Sequence, residues 1–92
     1  MFIFRDHQTI TYSNGLDTVF VYQHGQAAPQ TFALKNSNKF LWGIFDGVRN
    51  EAEILSQLSY FLGKTALEVE EEFMNALIFF KTHKLIRIQD DV

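Results

Sequence analysis

The side chains of this chain best suited to chemistry are three histidines, a run of glutamates and two serines. His7, His24 and His83 are far apart in sequence. None is within helical reach of another and none has metal-ligand spacing, so they read as three surface histidines. There is no cysteine, which removes disulfides and thiolate metal sites. Gly43 and Gly47 lack the strand-to-helix setting and the lysine of a phosphate loop. Ser56 and Ser59 fall on a predicted helix without a nucleophile elbow. Glu68, Glu70, Glu71 and Glu72 could supply a carboxylate pair for acid–base work. At the start of a predicted helix, however, acids complement the helix dipole and stay solvated, which is the better reading. The expectation is a non-enzyme with no metal or organic cofactor of its own.

The elements that position these groups fall in two blocks. The first block has strand character. Thr9 to Tyr12 alternates polar and apolar, and Asn14-Gly15 then signals a tight hairpin turn. Thr18 to Tyr22 is β-branched and aromatic on both faces, as in a central strand. His24 to Gln30 contains Gly25 and the only proline, Pro29, and reads as a loop. Thr31 to Leu34 is a third strand, with Phe32 and Leu34 on one face and Thr31, Ala33 and Lys35 on the other.

Three predicted helices follow. Asn36 or Ser37 caps the first, which carries Phe40, Leu41, Ile44 and Phe45 on one face and ends at Asp46-Gly47. Trp42 lies off that face and must find a second neighbour. Asn50 and Glu53 form a capping box for the second helix, whose buried stripe is Ile54, Leu55, Leu58, Phe61 and Leu62 and which Gly63 ends. Thr65 and Glu68 form another box. The third helix runs to about Thr82 with Val69, Phe73, Ala76, Leu77 and Phe80 inward. Leu85 to Ile88 reads as a short closing strand, and Asp90 to Val92 as a frayed end. The predicted fold is one α+β domain over residues 1–92: a three-stranded antiparallel sheet followed by three helices, winged-helix-like.

Composition narrows the function classes. With 92 residues, 47% hydrophobic content and ten phenylalanines, the chain can build a small aromatic core. A net charge of −3 disfavours nucleic acid or an anionic membrane as the main partner. Its longest apolar run, Ala76 to Phe80, is too short to cross a bilayer, and the start lacks the pattern of a signal peptide. A cytoplasmic location is expected.

One feature goes beyond a plain core. The third helix is apolar outside its inward stripe: Met74 and Ile78 are four apart, and Phe79 adjoins them. If the third strand is a sheet edge, its free N–H and C=O groups lie beside that apolar flank. An edge next to an apolar helix is the physical recipe for taking up a peptide as an added strand.

Leu34-x-Asn36, Leu41-Trp42-x-Ile44-Phe45-Asp46-Gly47, Glu53-Ile54, Leu58, Glu72-Phe73-x-x-Ala76-Leu77-x-x-Phe80 and Leu85-Ile86 together resemble the PqqD-like family. These are the recognition elements for precursors of ribosomally synthesised, post-translationally modified peptides. The resemblance spans Thr9 to Ile88. It departs from the family pattern in two places: Lys84 stands where glycine often precedes the Leu-Ile pair, and Ala76-Leu77 replaces a Phe-Leu pair. The resemblance implies three strands and three helices, winged-helix-like, that bind a precursor leader peptide and present it to a modifying enzyme of radical SAM or cyclodehydratase type. The leader would pair with the strand Gln30, Thr31, Phe32, Ala33, Leu34 and Lys35 and press on the third helix at Glu70, Met74, Ile78 and Phe79. A chain of this length resembles the stand-alone version.

Two other classes compete. A winged-helix nucleic-acid binder would need basic residues where Glu70, Glu71 and Glu72 stand. In a subunit or homodimerisation module, the same apolar flank would pack on a protein partner.

Overall fold

The computed structural model describes residues 1–13, 17–25 and 28–90. The Asn14-Gly15 turn, Gln26 and Ala27 of the predicted loop, and the last two residues of the predicted frayed end, Asp91 and Val92, lie outside the described residues. The fold is α+β, with six strands and three helices among the described residues: β1 (Phe2–Arg5), β2 (Thr9–Ser13), β3 (Val19–Gln23), β4 (Gln30–Leu34), α1 (Asn36–Ile44), β5 (Asp46–Asn50), α2 (Glu51–Leu62), α3 (Ala66–Thr82) and β6 (Ile86–Gln89).

The strands form two antiparallel sheets of three, ordered β2-β3-β4 and β5-β1-β6. The first is the expected sheet. Its register runs from Thr9 opposite Gln23 to Ser13 opposite Val19, and from Val19 opposite Leu34 to Gln23 opposite Gln30. The second sheet corrects the expectation of a single sheet. β1 is its central strand, pairing with β5 on one side and with the closing strand β6 on the other. Every pairing in that sheet joins residues more than forty positions apart, so no turn signal marks it locally.

The start and end of α1 also differ from expectation. The helix-preceding residue is Lys35, and no side chain caps the helix. Ser37, one of the two expected caps, instead donates to Glu72 of α3, Oγ to Oε1 at 3.4 Å. The helix ends at Ile44 rather than Gly47, because Phe45 turns away to become fully buried and stacks edge-on against Phe80. Gly47 does adopt the left-handed conformation, with φ +78°, but inside β5. There Asp46 accepts from the N–H groups of Val48 and Arg49 at 2.9 and 3.3 Å, and a Cβ on Gly47 would strike the Phe4 ring.

The second helix follows expectation at both ends. Asn50 Oδ1 accepts from Glu53 N–H at 2.9 Å, and Glu53 Oε1 accepts from Asn50 N–H at 3.2 Å. Gly63 ends α2 in the left-handed region, donating to Ser59 O. At α3 only the forward half of the expected box forms, with Thr65 Oγ1 accepting from Glu68 N–H at 3.4 Å.

Helix α3 closes on a Schellman motif. Leu85 N–H bonds Phe80 O at 2.9 Å and Lys84 N–H bonds Lys81 O at 3.0 Å. Lys84 holds the left-handed position itself, with φ +57°.

The core is built from Ile3, Val21, Leu34, Leu41, Trp42, Phe45, Ile54, Leu58, Val69, Phe73, Phe80 and Leu85, drawn from both sheets and all three helices. All five residues of the expected α3 stripe are buried. Trp42 finds its second neighbour in Phe80, stacked at 5.7 Å, and its Nε1–H donates to Thr11 Oγ1 at 2.9 Å. Phe61 corrects the expected α2 stripe: it is half exposed and stacks on Phe40 at 4.3 Å. Among the described residues, no helix is long and apolar enough to cross a membrane.

Candidate functional site

Among the described residues β4 pairs with β3 alone, so it is an edge strand of its sheet. Alternation places Thr31, Ala33 and, just past the strand, Lys35 outward; all three are exposed. Gln30, at the start of the strand, is also exposed. Phe32 and Leu34 point toward the helices, Phe32 half-buried and Leu34 fully buried.

Helix α3 meets this strand at Phe32 and the following helix α1 at Ser37, and the order of those two contacts along α3 runs opposite to the strand. Near the end of β4, Ser37 bonds Glu72. Nearer its start, Phe32 meets Phe79 edge-to-face at 6.1 Å and His83 at 4.7 Å. Phe79 and His83 also touch each other at 4.9 Å. His83 is thus half-buried in an aromatic cluster, which corrects its reading as a surface histidine, while His7 and His24 are exposed. Gln23 fastens this end: its buried Nε2 donates to His83 O and Lys84 O at 3.0 and 2.9 Å. A buried amide with both hydrogens satisfied holds the helix terminus against β3.

Successive residues of an α-helix are about 100° apart, so Glu68, Glu72, Asn75 and His83 all lie within about 40° of Phe79 on one side of the helix. This is the side that meets β4 and the start of α1. Its two ends differ in chemistry. Glu68, Glu71, Glu72, Asn75 and Lys64 line a shallow depression of about 440 Å³ at the acidic end. Lys64 Nζ pairs with Glu72 at 3.1 Å, whereas Glu68 and Glu71 form no ion pair among the described residues. The other end is the Phe32, Phe79 and His83 cluster.

The apolar positions singled out on α3 do not form one surface. Phe79 is the one that packs beside β4. Ile78 is about 100° farther round and Met74 about 140°, and both are exposed, at 60% and 52%. Glu70 lies on the side opposite Phe79, in a small depression with Leu55, Ser56, Ser59, Ala66 and Val69. Sequence reasoning passed over Glu72, Asn75 and His83 as a group. The signal was available: their spacing from Phe79 is seven, four and four residues, which is one helix side.

Among the described residues no three histidine, aspartate or glutamate side chains converge as metal ligands. Titration is perturbed at Asp46, whose carboxyl is held below its ordinary value mainly by the Val48 N–H, with Arg49 adding to the effect. Asp46 bonds within β5 and lies outside the β4–α3 side, so it acts locally on the turn.

No family model, no curated protein and no solved structure matches this chain, so its functional reading stands on the residues and their geometry.

Proposed function

We propose that this chain is a peptide-recognition module that takes up a precursor leader peptide as an added strand on β4 and presents it to a modifying enzyme. The observation that carries the reading is the open edge of β4 lying along α3, with Phe79 and Phe32 at its flank. An edge strand supplies backbone donors and acceptors for any extended peptide, and the helix flank supplies side-chain selection. The order of β2-β3-β4, then three helices, then β6 supports a winged-helix-like arrangement of the PqqD type, with the β5-β1-β6 sheet added beside it. No catalytic role is assigned, and the modifying enzyme would be of radical SAM or cyclodehydratase type. Glu70 and Glu71, both exposed on α3, weigh against nucleic acid as the partner.

Amide exchange with and without a candidate leader tests the proposal. Protection of the backbone from Gln30 to Lys35 is expected on binding. Tight binding that leaves those amides unprotected rejects strand addition.

A second reading, a homodimer or subunit module, is favoured by a different surface. Tyr60 is 93% exposed and Phe61 stacks on Phe40 beside two open depressions of α1 and α2. An apolar surface of this kind suits a protein partner. Sedimentation of the parent and of a Tyr60→Ser, Phe61→Ser variant tests it: a dimer that the substitutions dissolve supports the module reading, and a parent monomer rejects self-association.

A further inference from the structure

We infer that the strand accepted by β4 is a basic, apolar peptide running antiparallel to it, with a lysine or arginine toward its N-terminal end and a large apolar side chain about four residues later on the same face. This rests on the strand-addition reading above and specifies the ligand of that same site. The β2-β3-β4 sheet is antiparallel throughout, and antiparallel pairing is the more stable per residue and the more common. An antiparallel newcomer would lay its N-terminal half beside Leu34 and Lys35 and its C-terminal half beside Gln30 and Phe32. Helix α3 is oriented so that the first half would meet the acidic depression, where Glu68 and Glu71 gather round the Glu72 that bonds Ser37 just past β4, and the second half Phe79 and His83. Glu72 already holds Lys64, which leaves Glu68 and Glu71 as the exposed charges without an ion pair.

Spacing follows from the two geometries. Phe79 lies eight to eleven residues beyond Glu71 and Glu68, or about 12–16 Å along the helix at roughly 1.5 Å per residue. At about 3.4 Å per strand residue that is four to five positions. Only even spacings return to the face turned toward α3, which selects four. On the opposite face of the same peptide, exposed Lys35 disfavours a second basic residue near the N-terminal end.

The test is a selection of displayed random peptides of about twelve residues on the full chain. Amide exchange would be followed on the enriched sequences, and their affinities measured against the parent and a Glu68→Gln, Glu71→Gln variant. Neither side chain takes part in a hydrogen bond or ion pair among the described residues, and unchanged melting would confirm that the variant is intact. Enriched peptides should protect Gln30 to Lys35, carry a basic residue four before an apolar one, and lose about three- to tenfold in affinity on the variant, as expected for two exposed ion pairs. Peptides that protect β4 but show no basic residue, show the reverse order, or bind parent and variant equally overturn this inference and leave strand addition standing. Enriched peptides that leave β4 unprotected, or no enrichment at all, overturn strand addition and the inference with it.

Discussion

The contact between Phe32 and Phe79 joins the edge strand to the helix, and it can be measured apart from any ligand. Its ring centroids are 6.1 Å apart at an interplanar angle of 88°, an edge-to-face pair. Such pairs contribute about 0.5–1.5 kcal/mol beyond the area they bury. Replacing each ring by leucine keeps most of the apolar volume and removes the ring geometry. Phe32→Leu and Phe79→Leu should each cost about 1 kcal/mol, because both residues are half-buried rather than fully enclosed. Phe79 also meets Phe80 at 5.3 Å and His83 at 4.9 Å, so its single substitution should cost the more. Urea unfolding of the parent, both singles and the double gives the coupling directly. The double should be less destabilised than the sum of the singles by about 0.5–1.5 kcal/mol, or roughly 2–12 °C in melting temperature for a domain of this size. Ile78→Ala serves as the outside control and should change stability by less than about 0.5 kcal/mol, since Ile78 is mostly exposed. Singles that add to within about 0.3 kcal/mol would refute the argument that this pair fastens α3 to β4.

Lys84→Gly should stabilise the domain. A side chain in the left-handed region costs about 1–2 kcal/mol, and glycine's extra freedom in the unfolded chain returns about 0.5–1, leaving about 0.5–1 kcal/mol or a rise of roughly 2–8 °C in melting temperature; a lower melting temperature counts against the Schellman assignment. Gly47→Ala should lower stability by about 2 kcal/mol or more, because it combines positive φ with a collision against Phe4; a denaturation midpoint equal to the parent's would be incompatible with that packing. Asp46 has a folded pKa below its unfolded value, so its contribution is present above about pH 4 and is lost as pH falls through the folded value. Asp46→Asn should therefore flatten the acid limb of a stability–pH curve, with the neutral-pH loss reduced by added salt because the Arg49 pair is about one-third exposed; an acid limb identical to the parent's would exclude Asp46 as its source.

The α+β class, the three helices, the β2-β3-β4 strands and the α2 capping box were legible in the sequence because each depends on residues a few positions apart. Periodicity marked the α3 stripe, and Asn50 with Glu53 marked a helix start that short-range hydrogen bonds then formed. The second sheet was not legible. Phe2 to Arg5 becomes a strand only because Asp46–Asn50 and Ile86–Gln89 arrive on either side, and pairing partners that distant leave no local pattern. For the same reason α1 stopped three residues early: Gly47 carried the right backbone conformation, but β1 claimed it as part of a strand. At the candidate site, the sequence by itself determined that α3 has more apolar surface than one core face needs. Only the tertiary structure decided which side meets β4, because that depends on the angle at which a helix is docked and not on its period. Docking through Gln23, Ser37 and Phe32 turned Phe79 toward the strand together with Glu72, Asn75 and His83, and left Met74, Ile78 and Glu70 elsewhere around the helix.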